Sequence, residues 1–290
     1  MFFCPSCISE MTMDLYQLEQ YKKLKSYIDK DFKKNVKIDA IEKKVFYSYK
    51  NINRIFRKLH PETVGKYIKR VRLEKAAEYL KYSDHQVSDI AIDIGFSDVA
   101  AFSKSFKKRF KCSPLAYRQN VQIEKESNLK NGLPFEVEIL PEFELLYLEH
   151  LGDIENIVAI EKTWNILIKY CKRHKLISKK PIFFSEILDD NEITDSSNCR
   201  TNIAVILDKP LSFVPEELFQ VKIHQTQNYV KFIHTGPNDK LVETYNLIFS
   251  SWTANVQLEL ADKPFLEFYV NHHTNVHKKN LITEIYIPIE

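Results

Sequence analysis

The stretch HQVSDIAIDIGFSDVAAFSKSFKKRF (His85–Phe110) reads as two short helices around a tight turn. Val87, Ile90, Ala91 and Ile94 form an apolar stripe on the first helix, and Phe102, Phe106 and Phe110 form one on the second. Gly95 falls between them, where a residue without Cβ can take φ > 0, and Ala91 is small enough for the helices to approach closely. Ser97 is the expected N-cap of the second helix, with Asp98 in its first turn. Small or basic residues lead the outward face of that helix (Val99, Ala100, Ser103 and Lys104), and Lys107, Lys108, Arg109 and Lys111 crowd its end. This composition suits entry into a major groove, where apolar groups meet thymine methyls and lysine meets guanine O6/N7. An ordinary amphipathic pair with solvated lysines fits the same pattern.

The charge distribution separates these readings. Of the net +3 of the 290 residues, residues 1–120 carry +11 and residues 121–290 carry −8. A basic first part suits a polyanion, and the second part does not. The length predicts two domains. Strand-length apolar runs leave no membrane span, and MFFCPSCISEM lacks the basic flank and apolar length of a signal peptide, so a cytoplasmic location and no membrane partner are expected. Five cysteines form no disulfide framework. Cys4 and Cys7 make a C-x-x-C without two further ligands nearby, which points to no metal site. Residues 1–13 read as a tail, with Met11 or Met13 as alternative starts. No cofactor is implied.

Asp14 to Lys34 is expected to form a charged helix with Leu15, Leu18, Tyr21, Leu24 and Ile28 on one face. Residues 37–60 repeat the later unit in weaker form. Ile38, Ile41 and Val45 line the first helix; Ser48 caps a second with Ile52, Ile55, Phe56 and Leu59 inside and Lys50, Asn53, Arg54 and Arg57 outside. At the repeat offset of 49, Phe46 stands where the second copy has Gly95, and Glu42 where it has Ala91. Thr63 caps a long helix ending near Tyr82. Two heads on one stiff rod can meet successive major-groove windows about 34 Å apart.

Gly65-Lys66-Tyr67-Ile68, Arg72-Leu73, Ala76-Ala77, Ile90-Ala91, Gly95-Phe96, Phe102, Phe106-Lys107-Lys108, Pro114 and Tyr117-Arg118 resemble the AraC/XylS family DNA-binding domain over residues 14–120. The resemblance implies a seven-helix, two-headed domain acting in transcription on double-stranded promoter DNA, with RNA polymerase a candidate partner. Carried over residue by residue, its base-reading positions are Lys50, Asn53 and Arg54 on the first head and Val99, Ala100, Ser103 and Lys104 on the second. Phe46, Pro61 and Cys112 replace family glycines.

Residues 121–134 (VQIEKESNLKNGLP) read as a linker. Beyond it, strands are expected at 135–139, 145–149, 182–188 and 203–207 around a helix at 162–175. The order then repeats at 219–223, 229–234, a helix at 241–252, 265–270 and 284–289. Gly152 matches Gly236 at an offset of 84, and Lys180-Pro181 matches Lys263-Pro264 at 83. The fold class is therefore an all-α double helix-turn-helix domain followed by an α+β domain (135–290) of duplicated βαββ-like halves, with a ligand cleft on the axis between them.

His234-x-Gly236-Pro237, Trp252, Pro264-x-x-Glu267-x-Tyr269-x-Asn271 and Glu284-Ile-Tyr-Ile-Pro288 resemble the GyrI-like (gyrase-inhibitor-like) effector-binding domain. That family's aromatic-lined cleft holds a buried glutamate attracting cationic, greasy ligands, and the resemblance points to Glu284, with Trp252, Tyr269 and Tyr147 as ligand contacts. Glu284 as an exposed strand residue and the aromatics as plain packing are the alternatives. The leading function is a transcription regulator sensing a small organic molecule, with cations among the candidates. A small-molecule hydrolase or a protein-docking module stand as alternatives for the C-terminal domain. Enzymatic function is disfavoured, since no nucleophile elbow, HExxH or assembled triad is present, and His234, His272 and His273 read as surface or strand histidines.

Overall fold

The computed structural model describes residues 14–34, 36, 38–127, 132–153, 156–178, 180–216, 218–256, 258–271 and 276–290. Cys4, Cys7, Met11, Met13, His272 and His273 lie outside the described residues. The chain divides into two compact units that meet in sequence between residues 124 and 125.

The first unit is helical: α1 (Leu15–Asp31), α2 (Ile38–Val45), α3 (Tyr49–Phe56), α4 (Val64–Tyr82), α5 (Val87–Asp93), α6 (Val99–Phe110) and α7 (Pro114–Ser127). Short polar side chains start the helices by accepting backbone N–H groups that no helical carbonyl can satisfy. Asp14 accepts from the Gln17 N–H at 2.7 Å, and Thr63 from Lys66 at 3.4 Å. At α6 the cap is Asp98 and not the expected Ser97, because Asp98 holds the extended backbone and its carboxylate accepts from the Ala101 N–H at 2.7 Å. At α3 Ser48 occupies the cap position without a side-chain bond, and Glu42 accepts the Tyr49 N–H instead at 2.5 Å. The glutamate at the small-residue position of the first head thus becomes a cap.

Helices α1, α2 and α3 pack on one another, α3 touches α4, and α4 packs in turn on α5 and α6. Ile41, Val45, Ile52, Ile55 and Phe56 are buried in the first head, and Ile90, Ala91, Ile94, Phe102 and Phe106 in the second. Arg72 of α4 locks the second turn, its guanidinium donating to the carbonyls of Phe32 (2.6 Å), Gly95 (3.1 Å) and Lys34. Gly95 takes φ +84°, and Phe46, its counterpart, takes φ +55° with an exposed ring. The stretch expected to begin a linker at residue 121 instead continues α7 to Ser127.

Among the described residues the second unit is an antiparallel eight-stranded sheet with two α-helices. Its strands are β1 (Glu136–Leu140), β2 (Phe143–Leu151), β3 (Phe183–Ile187), β4 (Arg200–Ile206), β5 (Gln220–His224), β6 (Gln227–Thr235), β7 (Phe265–Tyr269) and β8 (Ile282–Ile289). They run in the order β1-β6-β8-β7-β3-β4-β2-β5. The order is a palindrome of the two halves, and the register repeats it. Leu145 pairs with Lys222 and Tyr229 with Glu138, each half advanced by 84; Glu186 pairs with Asn202 and Phe268 with Glu284, advanced by 82. Ser185 and Glu267 differ by the same 82 and pair with each other, so the pseudo-two-fold axis passes between them.

Helices α8 (Ile157–His174) and α9 (Leu241–Asn255) both cover the face that carries Glu267. Leu167 and Cys171 of α8 pack on Leu146, Leu148, Ile203 and Val205, and Trp252 of α9 packs on Phe232. Each half anchors its helix alike. His150 bonds Thr163 (Nδ1 to Oγ1, 2.9 Å) and His234 bonds Thr244 (2.7 Å), and the glycine two residues on takes φ +139° or +141°. The opposite face carries Leu145, Phe184, Ala204, Tyr229, Leu266 and Tyr286. β5 at one edge leads within three residues into β6 near the other, so the sheet curls and this face lies inside the curl; the His224 and Tyr229 rings meet across it at 5.9 Å.

Candidate functional site

Two surfaces carry the expected chemistry. In the helical unit Lys50, Asn51, Arg54 and Arg57 line the outer side of α3, and Val99, Ala100, Lys104, Lys107 and Lys108 are exposed on α6 with Ser103 half-buried. Asn53, expected among the base-reading residues, is half-buried with its amide engaged within the fold. Its Oδ1 accepts the Val64 N–H that opens α4 (3.0 Å), and its Nδ2 donates to the Tyr49 carbonyl (2.9 Å). The amide braces the first head against the rod, because an N-terminal N–H of α4 has no helical acceptor. The side chain on the outer stripe is Asn51.

In the sheet unit the chemistry gathers on the axis. Glu267 is 5% exposed and accepts hydrogen bonds from the Tyr245 hydroxyl (2.9 Å, from α9) and the Tyr269 hydroxyl (3.0 Å, from β7). Tyr269 also bonds Ser185 on the paired strand at 2.9 Å, and Trp164 of α8 meets the Tyr269 ring edge-on at 5.5 Å. Phe265 and Phe249 continue the aromatic wall beside Tyr245. Among the described residues no cation pairs with Glu267. Burial pushes its carboxyl above the usual carboxylate range, and the two tyrosine hydroxyls, which favour the ionised form, oppose this only in part. Burial and the carboxylate together push both tyrosines well above their ordinary value. A carboxylate buried among aromatic rings without a counter-charge carries a desolvation cost that either a proton or a cation offsets.

A family model for the GyrI-like small molecule binding domain matches residues 133–290, and one for a helix-turn-helix domain matches residues 41–120. The chain belongs to the GyrI-like family. It joins this domain to an AraC-type helix-turn-helix unit and is a DNA-binding regulator of transcription. The helical unit is similar to the probable transcription factor PqrA of Proteus vulgaris, 40% identical over 85 residues, 29% of this chain and 70% of that one. It is also similar to the regulatory protein SoxS of Escherichia coli K12, 34% identical over 96 residues, 33% of this chain and 90% of that one. Among solved structures, the EcmrR–DNA complex is 15% identical, covers 93% of this chain and 94% of its own, and has a TM-score of 0.48. No helix among the described residues is long and apolar enough to cross a membrane.

Within the GyrI-like domain the expected ligand residues divide between the two faces. Tyr269 lies at the dyad site in contact with Glu267. Trp252 lies on the same face under α9 but is turned into the packing, 5% exposed, its indole N–H donating to the Leu258 carbonyl at 2.9 Å. Glu284 and Tyr147 sit on the other face, inside the curl, since Glu284 pairs with Phe268 and Tyr147 with Ala204. Glu284 is half-buried and accepts from the Tyr286 hydroxyl (3.3 Å), which also contacts Glu138 at 3.1 Å. On the face under the helices the buried glutamate among aromatics is therefore Glu267, and Glu284 lies on the opposite face, half-buried. Alternation along FLEFY already puts Glu267 and Tyr269 on one face; which face lies under the helices is a matter of packing.

Proposed function

We propose that the GyrI-like domain senses a small organic cation at Glu267 and that the helical unit, residues 14–120, reads promoter DNA through α3 and α6. Residues 135–290 then form the sensor, working in the cytoplasm, and the bases are met by Lys50 and Arg54 on the first head and by Val99, Ala100, Ser103 and Lys104 on the second. The observation that carries the sensing part is the uncompensated Glu267 carboxylate on the pseudo-dyad, held by two tyrosine hydroxyls between α8 and α9. A cation carrying an aromatic or alkyl body gains there both the carboxylate and the ring faces of Trp164, Tyr245 and Tyr269.

Titrating the full chain with benzyltrimethylammonium tests this by calorimetry. Saturable binding is expected, weakened about 10–100-fold in Glu267→Gln, as loss of a charged partner contributing about 1.5–3 kcal/mol implies. Unchanged affinity in that variant refutes the assignment. Turnover of the bound molecule, abolished by the same substitution, would replace sensing with catalysis. On the DNA side, salt-sensitive and sequence-selective gel shifts are expected.

A further inference from the structure

The inside of the curl holds a second buried carboxylate, and the chain fills its site with one of its own cations. Glu186 on β3 has a side chain 4% exposed, and its Oε2 accepts from Asn202 Nδ2 (2.7 Å) and from Lys222 Nζ (2.7 Å). Lys222 comes from the edge strand β5, is 36% exposed, and sets its ammonium 4.9 Å from the centre of the Tyr147 ring. An ammonium between a carboxylate and an aromatic face is the arrangement by which proteins hold alkylammonium ligands. Two acceptors nearby are unused. Asn202 Oδ1, on the side chain that already touches Glu186, and His224 Nε2 are buried without a hydrogen-bond partner. Burial lowers the His224 pKa, which favours a neutral ring with one acceptor nitrogen, and that ring stacks between Phe143 (4.4 Å) and Tyr229 (5.9 Å).

The other half shows that the fold does not require this arrangement. The 84 and 82 offsets carry Lys222 onto Glu138, Tyr147 onto Lys231, Glu186 onto Phe268 and Asn202 onto Glu284. There Lys231, 12% exposed, is closed between Glu136 and Glu138 on the neighbouring strand. The first half keeps a buried carboxylate under a more exposed, swingable lysine.

We propose that Glu186, Asn202, His224 and Tyr147 form a second ligand site for organic cations bearing N–H donors, primary ammonium or guanidinium groups, which bind by displacing the tethered Lys222 ammonium. Converging acceptors select N–H donors over quaternary ammonium, and the displaced lysine is rehydrated, so the exchange never leaves Glu186 uncompensated. The site is independent of Glu267.

The test uses the full chain in the Glu267→Gln background, so that the dyad site does not contribute, with benzylammonium and benzyltrimethylammonium as matched probes. Lys222→Met removes the tethered competitor, whose effective concentration is on the order of millimolar or more. It is expected to tighten benzylammonium binding about 10-fold or more and to leave benzyltrimethylammonium unaffected. Adding Glu186→Gln abolishes the gain. Equal benzylammonium affinity with and without Lys222, or a gain that survives Glu186→Gln, overturns the proposal. If Lys222→Met folds poorly, its thermal midpoint must rise with benzylammonium and not with benzyltrimethylammonium or sodium chloride at equal ionic strength. Absence of that selective rescue overturns it as well.

Discussion

Replacing Gly95 by alanine tests the packing of the second head at one atom. A Cβ at this position would stand 2.2 Å from the Lys33 carbonyl oxygen, 2.9 Å from its carbon and 3.0 Å from Arg72 Nη2. The obstacle is backbone, so no side-chain rotation relieves it. The segment after α1 must retreat, and with it the carbonyls of Phe32 and Lys34 to which Arg72 donates. The left-handed φ of +84° adds about 1–2 kcal/mol for a residue with a Cβ. Loss of a hydrogen bond to a charged group adds about 1.5–3 kcal/mol. A destabilisation of about 2.5–5 kcal/mol results, a urea midpoint shift of roughly 1–5 M at about 1–3 kcal/mol per molar. Both tryptophans, Trp164 and Trp252, lie in the sheet unit, so far-UV circular dichroism follows the helices while tryptophan fluorescence follows the other unit. The dichroism transition should move and the fluorescence transition stay. A shift below about 1 kcal/mol, or equal movement of both probes, refutes the close approach to Lys33 as the reason for glycine.

At the matching turn the sign reverses. Phe46→Gly should stabilise the helical unit by about 0.5–1 kcal/mol, as relief of a left-handed φ of +55° outweighs the entropy of glycine and the ring is already exposed; urea melts read this directly. Arg54→Ala and Lys104→Ala should each cost about 1–3 kcal/mol on cognate DNA and little on unrelated sequence, measured by competition gel shift. Asn53→Ala should lower the helical unit's stability by about 1–2 kcal/mol, since the opening N–H of α4 loses its acceptor, and should weaken DNA binding without changing the ranking of sequences. Because the folded pKa of Glu267 is raised above its ordinary 4.5, its contribution to stability is full below that value and is lost as pH rises through the raised one. Glu267→Gln should therefore stabilise the sheet unit by about 1–3 kcal/mol at pH 8 and lose the advantage near pH 4; a tryptophan-monitored melt showing the same difference at both pH values would contradict this.

Much of the architecture was legible in the residues themselves because it rests on local rules. Gly95 between two amphipathic stripes marks a turn that needs φ > 0, and the spacing of Gly152 and Gly236 reports the duplication that the strand register bears out at the same 84. Asn53 was less legible. Its place on the helix surface follows from period 3.6, but its partner, the Val64 N–H, lies eleven residues away across a turn whose path no local pattern sets. The cap at Asp98 instead of Ser97 is a similar choice between neighbours, decided by which backbone takes the extended form.

By itself, then, the order of residues determined the helical double head, the two halves of the sheet unit and the alternation that ties Glu267 to Tyr269. The tertiary structure decided which carboxylate is buried among aromatics. Strands such as Arg200–Ile206 are buried on both faces, so a period of two distinguishes the faces without telling them apart. Only the docking of α8 and α9 on one side breaks that symmetry. It sets Glu267 beneath the helices on the dyad and leaves Glu186 and Glu284 inside the curl.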